Sequence, residues 1–306
     1  MSTPRMLSVV VPVLADRADL AATHRAYEKA LKDLGRPLQV IYVVDGDQPA
    51  SVEGLRALKR GGAPIEVLAH AHPFGEATAL TTGFRHARGG LVMTLPAEPG
   101  VDLDGLARLV DAASRYDVVV GVRRGGPDEP ARNRKMERVA SRLFGKDYKD
   151  LRSNVRVLRK EVADELTLYG NQQAFLPLLA ETLGFTTGEV DIEVRRQARR
   201  RAQAPKPSVL LDLVTAYFLI RFMKKPFRFF GGFGLGVLAL GVLVTGWLVL
   251  ARLFFDVPLL DRPALILSTL MVVLGIQIIA VGLIGEIVTF AYTKEQRDYR
   301  VDRIVE

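Results

Sequence analysis

The sequence predicts an α/β domain of about 200 residues with a mainly parallel sheet, followed by two C-terminal transmembrane helices. Three observations predict this. Apolar, β-branched runs alternate with helix-period segments through the first half of the chain. Two long stretches, Phe229 to Ala251 and Ala264 to Gly285, contain no Asp, Glu, Lys or Arg. Lys and Arg crowd the outer flanks of both stretches and are sparse between them.

The elements follow in order. Leu7 to Val13 reads as a buried strand, and Asp16 to Leu34 as a helix with apolar spacing at Leu20, Tyr27 and Leu31 that stops at Gly35. Leu38 to Val44 is the second strand, leaving through Asp45-Gly46-Asp47. A short helix over Val52–Leu58, a strand at Ile65–Ala69, a helix at Glu76–Ala87 and a strand at Leu91–Leu95 come next. A helix over Leu103–Ala113 and a strand at Asp117–Val122 close the regular alternation. Strands apolar on both faces and joined by helices imply a sheet covered on both sides, with ligands received at the carboxyl ends of the strands.

Beyond Arg123 the pattern loosens. Helices are expected at Met136–Phe144, Glu161–Tyr169 and Asn171–Leu183, with strands at Asn154–Leu158 and Glu189–Val194. A basic, proline-containing linker, Arg199–Pro207, leads into the apolar segment Val209–Phe222. That segment suits either an interfacial helix or one docked on the soluble domain.

At 1.5 Å per residue each uncharged stretch is long enough to cross a hydrocarbon core of about 30 Å. Buried core helices are the competing reading, but such helices seldom go uncharged for so long. Arg221, Lys224, Lys225 and Arg228 precede the first stretch, and Lys294, Arg297, Arg300 and Arg303 follow the second, so both termini are expected in the cytoplasm. The apolar run after Arg5 is short for a signal peptide and reads better as a strand. Zero cysteines suit a cytoplasmic domain and exclude disulfides and thiolate metal sites. The net charge of +8 is concentrated toward the membrane side, at Arg195, Arg196, Arg199, Arg200, Arg201 and Lys206. With no aromatic residues interleaved there, lipid headgroups or a phosphate substrate are favoured over nucleic acid.

Several short motifs then occur in a meaningful order. They are Val10-Val11-Pro12-Val13 leading to Asp16; Val43-Val44-Asp45-Gly46-Asp47; Pro73-Phe74-Gly75 with Ala79, Leu80 and Gly83; Ser153-Asn154-Val155-Arg156; and Gly282-Leu283-Ile284-Gly285-Glu286 near the end. Together they resemble the polyprenyl-phosphate and dolichol-phosphate glycosyltransferases of glycosyltransferase family 2, which have a GT-A fold. The resemblance covers nearly the whole chain. It implies a GT-A domain over residues 1–200, a linker and interfacial helix over 201–228, a two-helix hairpin over 229–292 and a cytoplasmic tail over 293–306.

The resemblance further implies transfer of a sugar from a nucleotide-sugar donor to a polyprenyl-phosphate lipid at the cytoplasmic face, as in a bacterial inner membrane. Asp16, Asp45, Gly75 and Glu98 then fall at the donor site, and Arg156, Arg123 and Lys206 become candidates for the acceptor phosphate. A Mg²⁺ or Mn²⁺ ion is the expected cofactor. Yet three acidic positions of the pattern are lost. Val44 replaces the first acid of Asp-Asp, Pro96-Ala97-Glu98 stands for Asp-x-Asp, and Asn154 occupies the expected base position. Glu98 is left as a weak metal ligand, and the catalytic base is unassigned.

Alternatives remain for individual residues. Asp16 could instead cap the helix that follows it, Arg156 could sit in a structural ion pair, and Glu98 could be a solvated loop acid. For the whole chain, the alternatives to a transferase are a degenerate GT-A domain that binds without turnover and a lipid-binding scaffold.

Overall fold

The computed structural model describes residues 6–98, 100, 102–124, 148–168, 170–193, 226–255 and 263–293. The chain divides into two compact units, Met1–Leu213 and Val214–Glu306. The expected helix at Met136–Phe144, the linker with Lys206, the segment Val209–Phe222 and the tail lie outside the described residues.

The first unit is built on a seven-stranded sheet. Its strands are β1 (Leu7–Val13), β2 (Leu38–Asp45), β3 (Ile65–His70), β4 (Leu91–Thr94), β5 (Val118–Arg124), β6 (Arg156–Arg159) and β7 (Thr187–Glu193). Their order is β3-β2-β1-β4-β6-β5-β7. β1 pairs in parallel with β2 and β4, β2 with β3, and β5 with β7. Only β6 runs against its neighbours, wedged between β4 and β5. The sheet is therefore mixed rather than purely parallel, and β6 brings its amino end to the edge where the other strands have their carboxyl ends.

Alternate side chains go to opposite faces, so a strand buried on both sides must be apolar throughout. Val9, Val11, Tyr42, Val44 and Met93 join one core, covered by α1 (Leu20–Lys32), α2 (Pro49–Arg60) and α4 (Leu106–Ala112). Val10, Ile41, Val43, Val92 and Val120 join the other, under α3 (Glu76–His86), α5 (Lys160–Glu165) and α6 (Leu176–Thr182). α1 buries Leu20, Thr23, His24, Tyr27 and Leu31, the single stripe its spacing foretold. α2 begins with Pro49 in its first turn, earlier than the apolar pattern suggested, because proline is already shaped for that position. The expected helix at 103–113 opens as a 3₁₀ turn, Leu103–Gly105, and 172–175 likewise precedes α6.

α3 lies close against β1. A Cβ on Gly83 would come within 2.3 Å of Val10 Cγ1, so the helix reaches this depth only with glycine there.

The second unit is a pair of helices, α7 (Pro226–Phe255) and α8 (Pro263–Thr293), each extending past the uncharged stretch read from sequence. Both contain windows apolar and long enough to cross a membrane, with only 17% and 11% of those windows buried. Their seam is close: a Cβ on Gly275 would lie 2.6 Å from the Leu238 backbone nitrogen. Across it Thr245 Oγ1 donates to Ser268 Oγ at 2.9 Å, and the Phe227 N–H donates to Glu286 Oε2 at 3.2 Å.

Candidate functional site

The strand order reverses between β1 and β4. β2 and β3 lie on one side of β1, while β4 and the later strands lie on the other. In an open α/β sheet the carboxyl ends of strands at such a reversal diverge into a crevice. Asp45 ends a strand and Asp16, Gly75 and Glu98 follow strand ends on this edge, and Asn154 and Arg156 reach it through the reversed β6.

Asp45 ends β2 and is 6% exposed. Its Oδ1 accepts from the Phe74 N–H at 2.9 Å and lies 2.9 Å from His70 Nδ1, while Oδ2 accepts from the Gly75 N–H at 2.7 Å. The far nitrogen of His70 meets Thr82 Oγ1 at 3.0 Å. Asp45 thus ties the loop after β3 to the start of α3. Gly75 has φ of +93°, a conformation that side chains resist, and it delivers the N–H that Asp45 needs. Held by this clamp, Phe74 remains 59% exposed, with its ring edge-on to His70.

Asp16 does cap a helix, but not the one that follows it. Its carboxylate accepts from the Ser51 N–H at 2.8 Å and the Ala50 N–H at 3.3 Å, at the amino end of α2. The Ser51 hydrogen bond is the largest cause holding its pKa below the usual carboxylate value. The residue before α1, Asp19, makes no side-chain cap there. It is committed to Arg17, whose Nε and Nη2 fork onto its carboxylate at 2.9 and 2.8 Å.

Arg17 is the residue that sequence reasoning missed. Its Nη1 donates to Glu98 Oε2 at 2.9 Å, joining the exits of β1 and β4 across the crevice. Further contacts hold the exits of β4, β1 and β2. Tyr27 Oη donates to the Pro96 carbonyl at 2.6 Å, and Gln48 Nε2 donates to the carbonyls of Val13 and Asp45, both at 2.9 Å. Nothing in the local pattern near residue 17 signals a partner so far along the chain.

Arg156 is 1% exposed. Its Nη2 donates to the Leu151 carbonyl at 3.4 Å, while Nε and Nη1 are buried and have no partner among the described residues. Burial is the main cause that lowers its pKa to about 10, with Glu76 and Asp150 opposing, so the side chain is still a cation at neutral pH. Arg123 is engaged by Asp150, which accepts from its Nε and Nη2 at 2.7 and 2.9 Å and from its backbone N–H at 3.2 Å. The Asn154 carbonyl accepts from Thr94 Oγ1 at 2.9 Å, fixing the start of β6 beside the end of β4.

A separate concavity of about 1130 Å³ lies at the opposite edge, where Leu91 begins β4 and Arg159 ends β6. None of the crevice residues lines it.

The reversed strand order, the crevice and the helices on both faces define a GT-A domain. The chain belongs to glycosyl transferase family 2, whose family description matches residues 8–165. Along 98% of its length it is 28% identical to an undecaprenyl-phosphate 4-deoxy-4-formamido-L-arabinose transferase of Pseudomonas paraeruginosa, covering 90% of that protein. Among solved structures it is similar to mannosyl-3-phosphoglycerate synthase from Rubrobacter xylanophilus. That match has a TM-score of 0.52 and 17% identity, and covers 71% of this chain and 74% of the other. A glucosyl-3-phosphoglycerate synthase from Mycobacterium tuberculosis, solved with Mn²⁺ and UDP, matches at a TM-score of 0.49 and 19% identity, over 70% and 79% of the two chains.

The donor set here does not fit a divalent cation. Pro96 has no side-chain ligand, Val44 has no oxygen, and Glu98 holds a guanidinium. Among the described residues no group of three or more His, Asp or Glu is arranged to bind a metal. Ca²⁺ and Mg²⁺ sites are built from several hard oxygens, and one carboxylate already ion-paired is a poor start.

Proposed function

We propose that this chain is a membrane-anchored glycosyltransferase that moves a sugar from a nucleotide-sugar donor to a polyprenyl phosphate at the cytoplasmic face. The observation that carries this reading is similarity along 98% of the chain, hairpin included, to a transferase named for undecaprenyl phosphate. The donor's nucleotide occupies the crevice beside Asp16, Asp45 and Gly75. The exposed ring of Phe74 offers an apolar face for its base. Its diphosphate lies toward Glu98. The acceptor phosphate is drawn toward the β5–β6 side by the buried cation Arg156, whose Nε and Nη1 have no partner among the described residues. Arg123, paired with Asp150, and Lys206 are the further candidates for that phosphate. α7 and α8 span the bilayer of a bacterial inner membrane with both termini on the cytoplasmic side, and the positive charge of Arg195–Lys206 favours anionic headgroups.

A second reading, binding without turnover, is favoured by one observation. Val44, Pro96 and Asn154 stand where carboxylates are expected, so the expected base position holds an amide. One assay separates the two. Full-length protein is reconstituted with undecaprenyl phosphate and offered radiolabelled nucleotide sugars, with donor binding and lipid-linked product measured separately. Product that falls by roughly 100-fold in Arg156→Ala, with donor affinity kept, supports transfer. Donor binding with no product from any donor supports the second reading.

A further inference from the structure

The crevice between β1 and β4 contains a cation of its own. Arg17 is fixed at both ends: its backbone N–H donates to Ser51 Oγ at 2.8 Å, and its guanidinium is held by Asp19 and Glu98. The Arg17 side chain is 21% exposed. Three of its five N–H groups serve those carboxylates, which leaves one on each terminal nitrogen. The Asp19 and Glu98 side chains are 60% and 43% exposed, so solvent weakens both charges; Asp19 takes two of the guanidinium hydrogen bonds and Glu98 the third.

If the crevice takes a nucleotide sugar, as proposed above, the diphosphate needs positive charge from a metal, a helix end or a side chain. A metal would have to share Glu98 with the guanidinium and would find Pro96 in place of a second ligand. The nearby helix end, at α2, already gives the Ala50 and Ser51 N–H groups to Asp16. Among the described side chains, Arg17 is a cation that stands where the strand order reverses.

We infer that Arg17 takes the place of the divalent cation, so that a nucleoside diphosphate binds here without metal. Its phosphate oxygens accept from the two remaining N–H groups of Arg17. Glu98 is then a positioning residue that seats the guanidinium, not a metal ligand. A fixed cation of this kind needs little reorganisation when the diphosphate arrives, and a guanidinium suits phosphate geometry.

The test is calorimetric titration of the full chain in detergent with UDP, GDP, CDP and dTDP in turn, first in EDTA and then in excess Mn²⁺. At least one should bind in EDTA, and Mn²⁺ should leave its affinity within about threefold. Arg17→Gln should weaken that binding by roughly 10- to 100-fold, with no rescue by Mn²⁺. Arg17→Lys, which keeps the charge but not the fork, should fall between, and serves if the glutamine variant does not fold. Glu98→Gln should weaken binding equally with and without Mn²⁺. Binding that appears only with Mn²⁺ and disappears in Glu98→Gln would overturn the inference, as would full affinity in both Arg17 variants. If no nucleotide binds under either condition, the nucleotide-sugar reading itself fails and takes this inference with it.

Discussion

His24 shows how one buried side chain can set a pH response. It is 3% exposed in the core beneath α1, with Nδ1 3.2 Å from Tyr42 Oη and with Nε2 buried and unpartnered among the described residues. Burial lowers its pKa, against a smaller opposing pull from Glu28. The unfolded chain therefore takes up a proton that the folded one refuses. This contribution is complete above the unfolded value, about 6.5, and is lost as pH falls below it toward the depressed folded pKa. Thermal unfolding should show stability declining by up to about 1.4 kcal/mol per pH unit in that window. His24→Phe should flatten the decline, and an unchanged slope would assign the effect to other groups. Asp45 and Gly75 were legible as important from sequence, since an Asp-Gly strand exit and a Phe-Gly turn are informative locally. What Asp45 does was not legible, because its partners at residues 70, 74 and 75 arrive only when β2 and β3 pair.

Among the elements, α3 is tightly constrained by one residue. Gly83 lets its backbone approach β1, and Gly83→Ala would press a methyl into Val10. Overpacking of this kind costs about 1–3 kcal/mol, against a gain of about 1 kcal/mol in helix propensity. The variant should be less stable by denaturant unfolding. Combined with Val10→Ala, the loss should be smaller than the sum of the two single losses, because the deletion makes room for the methyl. A strictly additive pair would place the strain elsewhere. Strand and helix periods were legible here because each is set by neighbouring residues. The reversed β6 was not: four residues, Arg156–Arg159, do not encode the direction of their partners. That reversal decides that Arg156 belongs to the crevice edge.

For the whole molecule, the sharpest expectation concerns sidedness. The chain has no cysteine, so Leu260→Cys and Glu306→Cys variants each carry a single thiol for labelling. A hairpin with both termini in the cytoplasm predicts labelling from opposite sides of the membrane. Labelling from the same side would rule it out. The sequence by itself determined the alternating α/β domain, the two membrane-length helices and the family. Each of these is written in periodicity, in uncharged length or in short contiguous motifs. The tertiary structure alone decided how the crevice is wired. Arg17 meets Glu98 across 81 positions, Asp16 caps α2 across 35, and Asp45 meets His70 across 25. Such pairs form because strand order brings distant loops to one edge, and no local preference of either partner specifies which loop that will be.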